Sequence, residues 1–180
     1  CAASRSTVQL RTGTKNESVP ARGGRHTEVT GPMDFKTADL CDDHSDDLQI
    51  ADPGFCNYGG RPRFRGEIVT LKLFEDNSLV REAVQTPGDG KVLVIDGGGS
   101  LRCALLGDLL AARAVENGWC GILVNGCVRD SADIARMSLG VKALATHPLK
   151  SVKRGVGERS IEVRFAGVTF RSGDFLYSDE

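Results

Sequence analysis

Three charged residues in the middle of the chain are of types that suit anion and metal binding. Asp108 precedes an apolar, helix-forming run, and the dipeptide Arg129-Asp130 follows after twenty intervening residues. An arginine guanidinium can hold a carboxylate through two parallel hydrogen bonds. An aspartate oxygen is a suitable ligand for a hard divalent cation such as Mg²⁺. Together these residues suit a small 2-oxo acid bound beside a metal ion.

The segments around these residues predict a strand–helix–strand–helix unit. Its parts are a buried strand over Val92–Ile95, a helix over Leu109–Asn117, a second buried strand over Cys120–Val124, and a further helix opening at 128–131. Short β-branched runs bounded by glycine are typical of buried strands, and Asn-Gly ends a helix. The loops that follow two parallel strands lie at one edge of a sheet, where open α/β sheets bind ligands.

The start of the first helix supplies the other half of the predicted anion site. Asp108 stands at the expected N-cap, and the N–H groups of a first helical turn have no helical partner. Such a terminus attracts a carboxylate or phosphate. We therefore predict that the backbone at Gly107, Asp108, Leu109 and Leu110 binds the same anion as Arg129. Simpler roles stay open. Asp108 could serve as a helix cap and nothing more, and Arg129-Asp130 could be no more than a surface ion pair.

Six motifs together resemble one family, that of regulator of ribonuclease activity A and 4-hydroxy-4-methyl-2-oxoglutarate aldolase. They are FEDN (74–77), VLVIDGGGS (92–100), LLGD (105–108), GW.G (118–121), NGCVRD (125–130) and GVTF.SGD.LY (167–177). The resemblance covers about Thr37 to Glu180. Aldolase members have an aspartate, twenty residues, Arg-Asp and an acidic residue three further on. Asp108, Arg129, Asp130 and Asp133 match that spacing.

The resemblance implies a fold and an assembly. It implies a single α/β domain over residues 33–180, built as a layered α/β/β sandwich of the swivelling-domain type, in a ring-shaped homotrimer with sites between subunits. The family continues with a short strand beyond the position of Glu180, so the domain is expected to be truncated there. An acidic group from a neighbouring subunit completes the family's site, and Glu75 is a candidate for it, although capping of a helix is its simpler role.

The resemblance also implies a reaction. It is a metal-dependent aldol cleavage of 4-hydroxy-4-methyl-2-oxoglutarate to pyruvate, with oxaloacetate decarboxylation through the same pyruvate enolate. Asp130 would hold Mg²⁺ or Mn²⁺, Arg129 would bind the pyruvyl group, and Asp108 would move protons through water. No lysine occurs from Ile95 to Gly140. A Schiff-base mechanism would thus need a lysine from elsewhere, and a divalent ion is the alternative electron sink.

Two other functions stay open. The family includes non-catalytic regulators that bind a ribonuclease or an RNA helicase, and a fold does not decide activity. Asp96 followed by glycines also resembles the cofactor loop of S-adenosylmethionine-dependent methyltransferases. A dinucleotide-binding fingerprint fits less well, because Arg102 stands where its third glycine belongs.

Composition limits the partners and the compartment. The net charge of −1 does not favour nucleic acid or an anionic membrane, and no apolar run approaches the roughly 20 residues that span a bilayer. The six cysteines form no CxxC pair. We interpret them as reduced thiols of a cytoplasmic protein. Residues 1–32 are rich in Ser, Thr, Gly and Arg, which predicts a flexible tag, upstream or transit-like segment.

The remaining patterns predict the flanking elements. They are a helix after Thr37, a strand over Glu67–Phe74 with Val69, Leu71 and Leu73 on one face, a helix over Ser78–Gln85, a strand over Val141–Ala145, and a hairpin of Ile161–Phe165 with Val168–Phe170. His147 before Pro148 is interpreted as a loop residue.

Overall fold

The structure, a computed structural model, describes residues 7–10 and 35–180. The helices are α1 (Thr37–His44), α2 (Ser78–Val84), α3 (Asp108–Glu116) and α4 (Ser131–Ile134). The strands are β1 (Thr7–Leu10), β2 (Leu48–Ile50), β3 (Cys56–Asn57), β4 (Phe64–Lys72), β5 (Val92–Asp96), β6 (Ala104–Leu106), β7 (Gly121–Val128), β8 (Gly140–Thr146), β9 (Glu158–Arg159), β10 (Val163–Phe165), β11 (Val168–Phe170) and β12 (Phe175–Ser178).

Four parallel strands form the centre of the main sheet. The strand order is β2-β1-β12-β4-β5-β7-β8-β3, with β6 paired to β7 and β9 paired to β4. Strands β4, β5, β7 and β8 run parallel, and α2, α3 and α4 lie on the connections between them. Because parallel strands end at the same edge, the loops after β4, β5, β7 and β8 share one edge of the sheet.

The central sheet is buried on both faces. On one face Val69 and Leu71 of β4 pack with the helices, and on the other Phe64 and Ile68 pack with the β10–β11 hairpin. This alternation follows from the two-residue period of a strand. The result is a helix layer, a sheet and a hairpin layer, which confirms the predicted α/β/β architecture and the predicted face of β4.

Two glycines let the large ring of Phe64 lie against the sheet. Gly121 of β7 and Gly140 of β8 are directly paired. A Cβ built on either would overlap the Phe64 ring, which is completely buried. The absence of two side chains therefore makes the space that one aromatic side chain fills, as dense packing requires.

Most predicted elements are present. The differences are the lengths of β7 and α4 and six short strands that were not predicted: β1, β2, β3, β6, β9 and β12. Strand β7 continues to Val128, four residues beyond the predicted end, and α4 is only one turn long. The three-residue strand β6, which lies directly before α3, was not predicted because it is too short to show a period. The α2 residues predicted to face the core are all buried, and β10 and β11 form the predicted antiparallel hairpin.

Two predictions from the composition are wrong in part. Residues Thr7–Leu10, inside the segment predicted to be flexible, form β1 between β2 and β12; the rest of residues 1–32 lies outside the described residues. Cys56 is disulfide-bonded, whereas Cys41, Cys103, Cys120 and Cys127 are free. Spacing along the chain does not reveal which thiols meet in space. Within the described residues, no helix is both long and apolar enough to cross a bilayer.

Candidate active site at the β6–β7 edge

The pairing of β6 with β7 brings the two predicted site loops together. Leu106, the last residue of β6, is paired with Val128, the last residue of β7. The N–H of Arg129 donates to the carbonyl of Leu106 over 2.9 Å. The turns that follow the two strands therefore start side by side, and Gly107 lies next to the Arg129-Asp130 dipeptide.

Gly107 is in very close contact with both charged side chains. A Cβ built on it would lie 2.9 Å from Oδ2 of Asp130 and 3.0 Å from Nε of Arg129. Its φ of −133° is extended backbone, which any residue adopts. Glycine is thus needed at this position for the close approach and not for the conformation.

The start of α3 faces the same turn. Gly107 is the N-cap and Asp108 is the first helical residue, so the sequence prediction placed the cap one residue too late. The first hydrogen bond of the helix is donated by Ala111 to the carbonyl of Gly107 over 3.0 Å. The N–H groups of residues 108–110 precede that bond and have no partner within the helix. They carry the positive end of the dipole of a nine-residue helix.

Arg129 and Asp130 form an ion pair whose backbone is held in an uncommon conformation. Nε of Arg129 lies 3.1 Å from Oδ2 of Asp130, and each side chain is 36% exposed. Asp130 has φ 53° and ψ 38°, in the left-handed region that non-glycine residues rarely adopt. Its carbonyl accepts hydrogen bonds from the N–H groups of Asp133 and Ile134, which fixes the turn. Left-handed residues of this kind concentrate at functional sites.

A cleft with a volume of about 130 Å³ opens between α3 and the loops after β4 and β8. It is lined by Asn77, Arg81, Ala104, Leu106, Gly107, Asp108, Leu109, Leu110, Arg129, Lys150, Ser151 and Lys153. The lining thus includes every predicted substrate-binding residue. Asp130 lies beside the cleft, through its ion pair with Arg129. The lining contains four cationic side chains and a single carboxylate, so the cleft favours anionic ligands.

The sequence reasoning missed seven of the lining residues. Two are apolar, Ala104 and Leu106, and five are polar: Asn77, Arg81, Lys150, Ser151 and Lys153. Residues 149–152 reach the cleft because Leu149 and Ser151 hydrogen-bond to the backbone of Ala104, while Val152 hydrogen-bonds to Glu75. The signal that could have found them is the cationic run LKSVKR directly after the β8 edge. The sequence argument stopped at His147, whose Nδ1 accepts from the N–H of Leu149 in the predicted loop.

The two remaining acidic candidates are bound to other partners within the chain. Asp133 is exposed and forms an ion pair with Arg136. Glu75 accepts hydrogen bonds from Nε of Arg102 over 2.7 Å and from Oγ of Ser100 over 2.6 Å. These hydrogen bonds, that of Arg102 above all, lower the pKa of Glu75. The neighbouring Asp76 precedes Asn77, the N-cap of α2, and its Oδ1 accepts a hydrogen bond from the N–H of Ser78, the first helical residue.

The donor set at Asp130 suits one kind of metal site. Among residues 7–10 and 35–180, no three His, Cys, Asp or Glu side chains are grouped so that they could share an ion. A closed zinc-type site is therefore not formed by the described residues. Mg²⁺, in contrast, keeps several waters and needs only one or two carboxylates. The single carboxylate of Asp130 fits a hydrated ion that completes its shell with water and substrate.

The glycine loop after β5 is filled by protein groups. Oδ1 of Asp96 accepts hydrogen bonds from the N–H of Gly98 and from Nδ2 of Asn125. A Cβ on Gly97 would lie 2.5 Å from Leu105, and one on Gly98 would lie 2.9 Å from Phe74. The glycines allow this close packing, and Asp96 is bound within the loop, unlike an acid that binds a cofactor ribose.

Comparison with curated proteins found relatives over most of the chain. A protein of Laribacter hongkongensis, named as a proposed 4-hydroxy-4-methyl-2-oxoglutarate aldolase, is 65% identical over 148 residues, which cover 82% of this chain and 93% of that protein. A protein of Pseudomonas aeruginosa with the same name is 59% identical over 147 residues, which cover 82% and 91%.

Solved structures of other members carry different names. A Geobacillus kaustophilus protein called S-adenosylmethionine:2-dimethylmenaquinone methyltransferase is 50% identical, with a TM-score of 0.78, and the match covers 81% of this chain and 90% of that one. The RNA-processing inhibitor RraA from Thermus thermophilis is 46% identical, with a TM-score of 0.77, over 81% and 88%. The sequence model of one family, described as RraA-like, Aldolase/RraA, matches residues 37–180. By sequence and by fold, this chain belongs to the RraA-like family.

Proposed function

We propose that this protein is a metal-dependent aldolase that cleaves 4-hydroxy-4-methyl-2-oxoglutarate to two molecules of pyruvate and also decarboxylates oxaloacetate. The observation that carries the proposal is the close approach of Gly107, at the start of α3, to the Arg129–Asp130 pair. A cleft with cationic lining lies at this junction. The names of the curated relatives agree with the aldolase part of this proposal.

The binding step uses the helix start and Arg129. The carboxylate of the pyruvyl group accepts hydrogen bonds from the guanidinium of Arg129 and from the free N–H groups of residues 108–110. Both donor groups line the same cleft. They orient the substrate and also face the oxygen on which negative charge develops during cleavage, which is the arrangement that lowers such a barrier.

The cofactor assigned to this site is Mg²⁺ or Mn²⁺, held by Asp130 through one carboxylate and ordered water. When bound, the ion supplies Lewis-acid stabilisation of the enolate of pyruvate. Asp130 is suited to this role because its backbone is fixed by the turn into α4. Arg129, 3.1 Å away, orients the carboxylate.

The proton transfers are assigned to Asp108 acting through a water molecule. In the aldol cleavage the hydroxyl on C4 loses its proton to that water, the C3–C4 bond breaks, and its electron pair forms the enolate of one pyruvate. The C4 half leaves as the other pyruvate, and the enolate takes up a proton at C3. Oxaloacetate gives the same enolate by loss of carbon dioxide. Asp108 lines the cleft at the helix start, within the same turn as the anion-binding N–H groups.

We further propose that the working assembly is a homotrimer with sites between subunits. Six large apolar side chains are exposed near the cleft edge of the sheet: Phe74, Leu101, Leu109, Leu149, Val152 and Val156. Val152 hydrogen-bonds to Glu75, the residue after Phe74, so these two apolar residues are neighbours on this surface. Exposed apolar patches of this kind mark protein–protein interfaces. A second subunit that covered this patch would also border the cleft.

A non-catalytic regulator is the second candidate. It is favoured by the 46% identity to the Thermus thermophilis protein, which is described as an inhibitor of RNA processing. Such a role requires a surface that binds the partner protein. It does not require catalytic groups that lie together at one site. The name of the Geobacillus kaustophilus relative would suggest a methyltransferase. We do not propose that activity, because Oδ1 of Asp96 accepts hydrogen bonds within the protein and the glycines at positions 97 and 98 are packed against neighbouring residues.

The test is pyruvate release from both substrates while Mg²⁺ or Mn²⁺ is titrated. We expect Arg129→Ala and Asp130→Ala each to remove most of the activity. Arg136→Ala is the matched control, because it also removes an arginine from an exposed ion pair but lies outside the cleft. A pull-down from cell extract is run in parallel. Capture of a ribonuclease or helicase, with no pyruvate formed by the wild type, would support the regulator instead.

A further inference from the structure

Strand β1 lies between two strands of the family domain without being part of that domain itself. The region that matches the family begins at residue 37 and includes β2 and β12, whereas β1 covers Thr7–Leu10. In the strand order β1 separates β2 from β12. The domain therefore contains a slot, one strand wide, between β2 and β12, and a separate segment of the chain fills it.

Backbone pairing holds β1 on both sides of this slot. It runs antiparallel to β12, with Thr7 opposite Ser178. It also runs antiparallel to β2, with Val8 opposite Ile50. The N–H of Ala51 extends this second ladder by donating to the carbonyl of Thr7 over 2.9 Å. Because such pairing uses main-chain groups, a slot of this kind accepts an extended segment as an added strand.

The β2 border of the slot is also held by contacts that do not involve β1. Among the described strands β2 pairs with β1 alone, since it ends the strand order. The β10–β11 hairpin supplies the other contacts. The N–H of Asp52 donates to the carbonyl of Ala166 over 2.8 Å. The side chain of Gln49 exchanges two hydrogen bonds with the backbone of Thr169. This border therefore stays in place when β1 leaves.

The β12 border is fixed in the same way, by groups outside β1. Strand β12 pairs with β4 of the central sheet. Directly after it, the carboxylate of Asp179 accepts hydrogen bonds from the N–H and the hydroxyl of Thr37, over 2.7 and 2.8 Å. The carbonyl of Asp179 accepts from Nζ of Lys142, a fully buried side chain, over 2.7 Å. Both borders of the slot thus have their own attachments to the fold.

One residue pair weakens the binding of β1 to the slot. Thr7 is 3% exposed and Ser178 is fully buried. Residues that lie opposite each other in an antiparallel pair are on the same face of the sheet. Within the described part of the chain neither hydroxyl has a hydrogen-bond partner. Since burial of an unpaired hydroxyl is unfavourable, β1 binds less tightly than a strand with an apolar residue in place of Thr7.

We infer that the slot between β2 and β12 is a binding site for an extended peptide segment, and that residues 7–10 occupy it as a strand that can leave while the central sheet stays folded. The 26 residues from 11 to 36 connect β1 to α1. A connection of this length lets β1 move away without displacing α1. The slot shares no residue with the lining of the cleft, so its test does not depend on the proposed activity.

Hydrogen exchange of the full-length wild type tests whether β1 leaves by itself, and it needs no variant. We expect the amides of residues 8–10 to exchange at least tenfold faster than those of β5 and at least tenfold slower than those of an unstructured peptide. Exchange of β1 only together with β5 would make it a permanent strand of the core. Exchange at the rate of an unstructured peptide would mean that the slot is not filled. Either of these two results overturns the inference.

A fluorescent peptide of residues 5–12 tests whether the slot accepts a strand from outside. In full-length Gln9→Pro the chain's own strand loses a backbone donor and pairs poorly. The peptide should therefore bind this variant at least tenfold more tightly than it binds the wild type. Gln9→Ala keeps the backbone N–H and is the matched control, which should behave as the wild type does. Equal binding to all three proteins, or binding to none, overturns the inference.

A second peptide with Thr7→Val tests the register of the bound strand. It should bind Gln9→Pro about fivefold more tightly than the unchanged peptide, or better, because it buries one unpaired hydroxyl fewer. Equal or weaker binding would mean that the peptide does not lie with position 7 opposite Ser178. That result also overturns the inference.

Discussion

Gly107 and Arg129, which are 22 positions apart in the chain, are so close that a methyl group on the glycine would lie 3.0 Å from Nε of the arginine. The hydrogen bond from the N–H of Arg129 to the carbonyl of Leu106 sets this proximity. It joins the anion-binding start of α3 to the charged turn after β7. Each property that we propose for the site depends on this contact.

Gly107→Ala should therefore reduce activity far more than stability. The new methyl group would lie 2.9 Å from Oδ2 of Asp130 and would displace the carboxylate. We expect kcat/KM to fall at least tenfold and the free energy of unfolding to change by about 1 kcal/mol, since both displaced side chains are partly exposed. Gly173→Ala is the control, because it introduces left-handed strain where no atom lies within 4 Å. Equal activity of the two variants would contradict the proposed geometry.

Arg129→Lys should lower activity although it keeps the charge. An ammonium group cannot present two parallel donors to a carboxylate, so pyruvyl binding should weaken. We expect kcat/KM to fall by about tenfold to a hundredfold in a pyruvate-release assay. Arg113→Lys alters an exposed ion pair on α3 and should keep wild-type kinetics. Full activity of Arg129→Lys would mean that the fork geometry is unimportant.

Removal of divalent metal should abolish both reactions, and Mg²⁺ or Mn²⁺ should restore them. Asp130→Asn should raise the metal concentration for half-maximal activity at least tenfold, since one carboxylate charge is lost. Asp133→Asn, three residues further on and exposed, is the matched control. Lys150 and Lys153 line the cleft, and a Schiff base could form on a lysine. A Schiff-base mechanism would be indicated instead if activity persisted in chelator and borohydride trapped the enzyme–substrate adduct.

Asp76 should make the free energy of unfolding depend on pH in the acidic range. It is 2% exposed. Although burial opposes its ionisation, hydrogen bonds from Ser78, Arg154 and Val156 outweigh that effect and lower the pKa of Asp76 from 3.8 to about 2. A carboxyl group whose pKa is lower in the folded than in the unfolded protein contributes its full stabilisation at pH values above the pKa of the unfolded state. That stabilisation, about 2 kcal/mol here, is lost as the pH falls from about 4 towards 2.

Urea unfolding at a series of pH values checks this prediction. Asp76→Asn should be destabilised by about 1–3 kcal/mol at pH 7 and should lose less stability than the wild type below pH 4. Asp46→Asn changes an exposed carboxylate and should follow the wild-type curve. Parallel curves for the wild type and Asp76→Asn would show that Asp76 is not the responsible group.

The proposed trimer predicts that charge on the apolar edge disrupts assembly. Leu149 is 59% exposed in the single chain. Leu149→Asp should shift the sedimenting species from trimer to monomer, because a buried, unpaired carboxylate is costly. Ile50→Asp, on β2 and 57% exposed, is the control that should stay assembled. A wild-type protein that sediments as a monomer would refute the trimer directly.

The sequence by itself determined the α2 residues that pack in the core and the positions of Asp108 and Arg129-Asp130, and its resemblance to the family implied the layered architecture. Hydrophobic periodicity and strand length are local signals, and the six motifs carry the family resemblance over residues 37–180. The resemblance also specified which charged residues to place at the sheet edge. The elements and their buried faces follow from residues that are close in the chain, and each motif is likewise local.

The tertiary structure alone decided which distant residues meet. It added β6, whose pairing with β7 brings Gly107 against Arg129. It also brought Asn77 and Ser151 into the lining of one cleft through β-bridges between neighbouring residues of separate loops, and it formed β1 from a segment with no periodic signal. Contacts of this kind depend on backbone hydrogen bonds between segments far apart in sequence, and no local pattern of residue types records them.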